Sequence, residues 1–99
     1  MKESTKKGYW MAMVDVTDEA GYPQYIAANK AAFDKYGAKF LVRGDPAKVY
    51  EHGVMGRVVV IEFESVQAAI AVHDSPGYQA ALKALGDGAV RDLRIVEGL

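Results

Sequence analysis

An α+β domain with one antiparallel sheet and helices on a single side is what this sequence predicts, and three observations predict it. Strand-like and helix-like segments follow one another in the order β-α-β-β-α-β. The strand-like segments sort by alternation into one wholly apolar face and one mixed face. The chain has 99 residues, enough for one modest core and no second domain. Residues 1–7 are expected to form a flexible N-terminus and 8–99 a single domain.

The first strand is read in GYWMAMVDV, 8–16, an apolar run too short for a secure helix. Thr17-Asp18-Glu19 follows with the look of a helix start carrying acids in its first turn. Tyr22, Tyr25, Ile26, Asn29, Phe33 and Tyr36 then fall at helical spacing on one face. Pro23 is tolerable only near that helix start, where its missing N–H costs nothing. Gly37 supplies the left-handed residue that commonly ends a helix.

AKFLVRG, 38–44, predicts the second strand, and GDPAKVYEHGVMG a long connection with a short edge strand around Val49 and Tyr50. RVVVIEF, 57–63, is the clearest strand, because β-branched side chains favour the pleated backbone. Ser65 caps the next helix, whose inner stripe is expected to be Val66, Ala69, Ile70 and His73. In HDSPGYQAALKAL the helical rhythm halts at Asp74. Ser75 followed by Pro76 is an N-cap followed by proline at the first helical position, so the second helix is predicted to be broken in two there. The last strand is VRDLRIVEG, 90–98. Short right-handed crossovers fold this order into a ferredoxin-like, four-stranded antiparallel sheet of order 4-1-3-2, with the helices on one face.

Alternation puts Trp10, Ala12, Val14, Val16, Phe40, Val42, Val59, Ile61, Phe63, Leu93 and Ile95 under the helices. The opposite face carries Tyr9, Met11, Met13, Asp15, Lys39, Leu41, Arg43, Val58, Val60, Glu62, Asp92, Arg94 and Val96. Its apolar members approach a patch of a few hundred Å², more than a soluble monomer ordinarily exposes, so a homodimer formed through this face is expected. The gap between two such sheets is also a candidate small-molecule pocket.

Twelve Lys and Arg against thirteen Asp and Glu leave a net charge of −1 without a basic stripe, which argues against nucleic acid and anionic lipid as partners. The central strands offer no aromatic platform for stacking bases. Without cysteine there is no thiolate nucleophile or zinc ribbon, and two histidines twenty-one positions apart make no metal motif. No nucleotide-binding glycine pattern or nucleophile elbow occurs, so no cofactor is implied. No stretch of about 20 apolar residues spans a membrane. The expected location is cytoplasmic.

Five residues stand out as candidates for chemistry. His73 lies at a helix end beside Asp74, which can orient its ring; such a pair suits a general acid or base, or else simply ties down the helix break. Asn29 interrupts an apolar stripe and needs a partner for its amide, from backbone or from a ligand. Arg43 and Arg94, both assigned to the mixed face, can clamp a carboxylate or pair with an acid. Lys39 and Glu62 are expected to form a cross-strand charge pair, and His52 is given no role. The functional reading is a small-molecule binder, or a cofactor-independent enzyme, acting on a small anionic organic compound in the dimer cavity. The alternative is a purely structural or interaction module.

The combination of GYWMAMVDVTD, YIAANKAAFDKYGAKFLVRG, VVVIEF with SPGYQAAL, and DLRIVEG resembles the bacterial family named domain of unknown function 1330, from Gly8 to Gly98. The resemblance implies a dimeric α+β barrel of ferredoxin-like subunits and no assigned activity. The family commonly has proline after the aspartate at the first helix start, where this chain has Glu19. It also commonly has arginine after the leucine of the third helix, where this chain has Leu85-Gly86. Related barrel families include cofactor-independent monooxygenases, but a shared fold transfers no chemistry.

Overall fold

The computed structural model describes residues 6–17, 19–51, 56–86 and 88–99. Four strands and three helices follow one another as β1 (Gly8–Val16), α1 (Tyr22–Lys35), β2 (Lys39–Gly44), β3 (Arg57–Phe63), α2 (Val66–Asp74), α3 (Pro76–Leu85) and β4 (Ala89–Glu97). All pairings are antiparallel and the order across the sheet is β2-β3-β1-β4. This is the expected order read from the other edge. His52 lies outside the described residues.

Helix α1 starts three residues later than the acids at its expected entrance. Gly21 is its N-cap, Pro23 falls in its first turn and no acid lies there. The proline explains the shift: its ring would clash one turn deeper in a helix, so the helix begins where the proline fits. Gly37, at φ 69°, ends α1 as expected. The Ser65 hydroxyl accepts from the Ala68 N–H at the start of α2. At the break, Ser75 Oγ accepts from the Tyr78 N–H at 3.3 Å and donates to the Val72 carbonyl at 2.7 Å. One hydroxyl thereby closes α2 and opens α3. The inner stripe of α2 is Ala69 and Val72, with Val66 and His73 half-buried and Ile70 turned outward. A nine-residue helix followed by a break presents only its central turn squarely to the sheet.

The core lies between the sheet and the helices, around Trp10. Its ring meets Phe33 and Tyr78 edge-on, each at 5.2 Å between centroids, and its Nε1–H donates to the Ala69 carbonyl at 2.8 Å. Gly8 is required where β1 passes α2: a Cβ there would stand 2.5 Å from the Ser65 carbonyl oxygen, which is backbone and cannot move aside. Helix α2 lies close on β1, β3 and β4, whereas α1 packs chiefly against α3.

Strand β2 departs from simple alternation. Phe40 stands opposite Ile61, but Val42 stands opposite Val60 and Arg43 opposite Val59, so Leu41 is the extra residue of a β-bulge. Every residue beyond it changes side. Val42, expected under the helices, joins the open face, and Arg43, expected on the open face, comes under the helices. Two further expectations are corrected. Val49 and Tyr50 form no edge strand. Lys39 and Glu62 are register partners, but the Glu62 carboxylate accepts the Tyr9 hydroxyl at 2.9 Å and makes no ion pair with Lys39 among the described residues.

Candidate functional site

The gap left where α1 stands off the sheet is a cavity of about 350 Å³. Its floor is the inner side of the sheet, including Trp10, Ala12, Val14, Val59 and Ile61; its roof is α1, through Tyr22, Tyr25, Asn29 and Phe33. Arg43 closes it from β2 and Arg91 from β4. The size is that of a small-molecule site, and the walls are mostly apolar with a few convergent polar groups. This cavity lies within one chain, between helix and sheet; the open face carries a separate hollow of about 590 Å³, lined by Met11, Met13, Val58, Val60 and Arg94 among others, on the side where the sequence places the gap between two copies.

Asn29 is 5 % exposed, yet its amide makes no hydrogen bond to any described residue. Its polar atoms open into the cavity instead. Helical spacing brings it there: Tyr22, Tyr25, Asn29, Ala32 and Phe33 are the buried residues of α1. The amide is thus open to water in the free protein and available to hydrogen-bond a ligand that takes the water's place.

Arg91 lies opposite Val14, on the inner side of β4. Its Nη1 donates to the Tyr25 hydroxyl at 2.9 Å and to the Tyr78 hydroxyl at 2.5 Å, and the two hydroxyl oxygens are themselves 2.5 Å apart. Burial holds the Tyr25 phenol well above its ordinary range; the neighbouring Tyr78 adds to this and the Arg91 charge opposes it. Burial works against the Arg91 charge as well, but interaction with Tyr25 and Tyr78, and to a lesser degree Tyr22, outweighs it and raises its pKa. Arg57, also opposite Val14, stacks on the Tyr22 ring at 5.5 Å, and Arg43 on the Phe40 ring at 5.0 Å. None of these three arginines pairs with a carboxylate among the described residues.

Of the residues singled out in the sequence, Arg43 and Asn29 are brought together at this cavity. Arg94 is not. It remains on the open face, where its guanidinium forks onto Asp92 with both contacts at 3.2 Å. His73 and Asp74 are also elsewhere: the imidazole Nδ1 is 3.3 Å from the Asp74 carboxylate, and the ring lies 5.9 Å from Trp10 and 5.3 Å from Tyr78, outside the cavity lining. The sequence reading missed Arg91, Arg57 and the Tyr25–Tyr78 hydroxyl pair. Arg91 was legible, since it precedes Leu93 by two positions and shares its face. The hydroxyl pairing of α1 with α3 left no signal in the pattern. Among the described residues, no three His, Asp or Glu side chains gather as metal ligands would, and no helix is long and apolar enough to cross a membrane.

The model of the family described as Domain of unknown function (DUF1330) matches residues 7–99. Among solved structures, the chain is similar to RPA0582, a protein of unknown function from Rhodopseudomonas palustris, at TM-score 0.73 and 19% identity, covering 95% of this chain and 83% of that one. It is similar to SnoaB, a cofactor-independent oxygenase from Streptomyces nogalater, at TM-score 0.64 and 14% identity, covering 96% and 95%. It is also similar to a dimeric ferredoxin-like protein of unknown function from Thermobifida fusca, at TM-score 0.54 and 15% identity, covering 99% and 96%. At these identities the likeness shows the fold alone. No curated protein matches the chain.

Proposed function

The chain belongs to the DUF1330 family, a family defined without an activity, and on that premise we propose that it binds a small, largely apolar organic compound in the cavity between α1 and the sheet. The observation that carries this reading is Asn29: a residue on the buried face of α1 whose amide has no partner among the described residues and opens into a space of ligand size. Arg43, brought inside by the bulge, stands at the wall as a second polar contact. His73 and Asp74 have a structural role at the helix break, and Arg94 belongs to the open face.

Two copies pair through the open face of the sheet in this reading. Met11, Leu41, Val42 and Val96 are each 42–47% exposed there, and the bulge adds Val42 to that apolar surface. The dimeric protein from Thermobifida fusca supports the arrangement. The likeness to SnoaB supports an extension of the same reading, in which the bound compound is also turned over without a cofactor.

A screen of small aromatic compounds by thermal shift and by fluorescence tests the reading. The chain has a single tryptophan, Trp10, and it lines the cavity, so a bound compound is expected to change its emission and raise the melting temperature together. Asn29→Leu and Arg43→Ala should each weaken the hits. Hits that persist unchanged in both variants would move the site elsewhere.

A further inference from the structure

The hydroxyl protons of Tyr25 and Tyr78 can be counted against their acceptors. Arg91 only donates, and both tyrosine oxygens receive from it. The two hydroxyls bond to each other, which uses one of their two protons. The other proton has no acceptor among the described residues. Tyr78 is fully buried and does not line the cavity, whereas Tyr25 does. The arrangement that strands no buried donor has Tyr78 donating to Tyr25 and Tyr25 presenting its own proton to the cavity.

Beside that proton stands a charge without a counter-charge. The Arg91 guanidinium is half-buried, its partners are two neutral hydroxyls, and no carboxylate neutralises it among the described residues. The acid that lines the cavity, Asp34, is paired with Lys30 at 2.8 Å. A partly desolvated cation next to an unspent hydroxyl proton, at one end of an apolar cavity, is complementary to an anionic oxygen carried by an apolar body. The adjoining rings of Trp10 and Phe33 offer that body edges and faces to pack on.

We infer that the ligand is an aromatic carboxylate, its carboxylate received by the Tyr25 hydroxyl and the Arg91 guanidinium and its ring held along Trp10 and Phe33. Asn29, one helical turn beyond Tyr25 on the same face, hydrogen-bonds a polar substituent of the ring. Tyr25 and Arg91 are thus the residues that determine specificity for charge. The inference rests on the cavity reading above.

Benzoate and its neutral isostere benzamide test it, each titrated against wild-type protein and Tyr25→Phe by Trp10 fluorescence. Benzoate is expected to bind at least about tenfold more tightly than benzamide, and Tyr25→Phe to weaken benzoate by about tenfold and benzamide by clearly less, because the lost hydrogen bond is to a charged oxygen in the first and to a neutral carbonyl in the second. Equal affinity for the two probes in the wild type would overturn the inference while leaving the cavity reading standing, and that comparison needs no variant. Unchanged benzoate binding by folded Tyr25→Phe would overturn it also. If neither probe alters Trp10 emission or the melting temperature, the cavity reading falls as well.

Discussion

The hydroxyl oxygens of Tyr25 and Tyr78 lie 2.5 Å apart in the core, joining α1 to α3, and Arg91 reaches both from β4. Burial first, and the nearness of Tyr78 second, keep the Tyr25 phenol protonated beyond its ordinary range. An unfolded tyrosine titrates near pH ~10. Above that pH the unfolded chain gives up a proton that the folded chain keeps, so the contribution of Tyr25 to stability is complete below pH ~10 and is lost progressively as pH rises beyond it. Urea unfolding midpoints measured between about pH 8 and 11 should decline on the alkaline side. The decline should be shallower in Tyr25→Phe; an identical slope in the variant would show that the phenol is not the group responsible.

The Asn29 amide opens into the cavity and makes no bond that holds the fold among the described residues. Asn29→Leu, of similar size and without polar atoms, should therefore change stability by less than about 1 kcal/mol in chemical denaturation while ligand binding weakens. A loss of about 2 kcal/mol or more would mean that the amide has a structural partner.

Ser75 serves two helices with one hydroxyl. Ser75→Ala removes both the cap of α3 and the hydrogen bond to the Val72 carbonyl, and should cost about 1–2 kcal/mol in chemical denaturation. Ser65→Ala, which removes a single capping bond, should cost less. The order of the two variants is the informative result.

Met11 lies on the open face of the central strand β1, opposite Val60 on one side and Arg94 on the other. A charge at its position should keep two copies apart. Met11→Asp is expected to sediment as a 10.8 kDa species at micromolar concentration, with the wild type at twice that mass. A wild type that sediments at the lower mass would remove the homodimer.

The order of the strands, the broken second helix and the Ser75 cap were legible because each rests on local chemistry: β-branched runs, a serine before a proline, a glycine at a positive φ. Half of the site was legible for the same reason, since helical spacing puts Asn29 on the buried face of α1 without any knowledge of the rest of the fold. The side occupied by Arg43 was not legible. Alternation from Phe40 carries the strand forward correctly to Leu41 and then fails, because a bulge is a property of the pairing between two strands and leaves no mark in the composition of either. The Tyr25–Tyr78–Arg91 contact was hidden for a related reason. It joins three elements across 53 and 66 residues of chain, and no periodicity reaches that far.

The additional residue at Leu41 also has a bearing on how this chain is aligned with others. Wherever a relative has a regular second strand, an ungapped match compares residues on opposite sides of the layer from position 42 onward, setting the cavity arginine against a solvent-facing neighbour. A single gap at position 41 restores the comparison, so the percentage of identical positions along this short segment measures the choice of gap before it measures kinship.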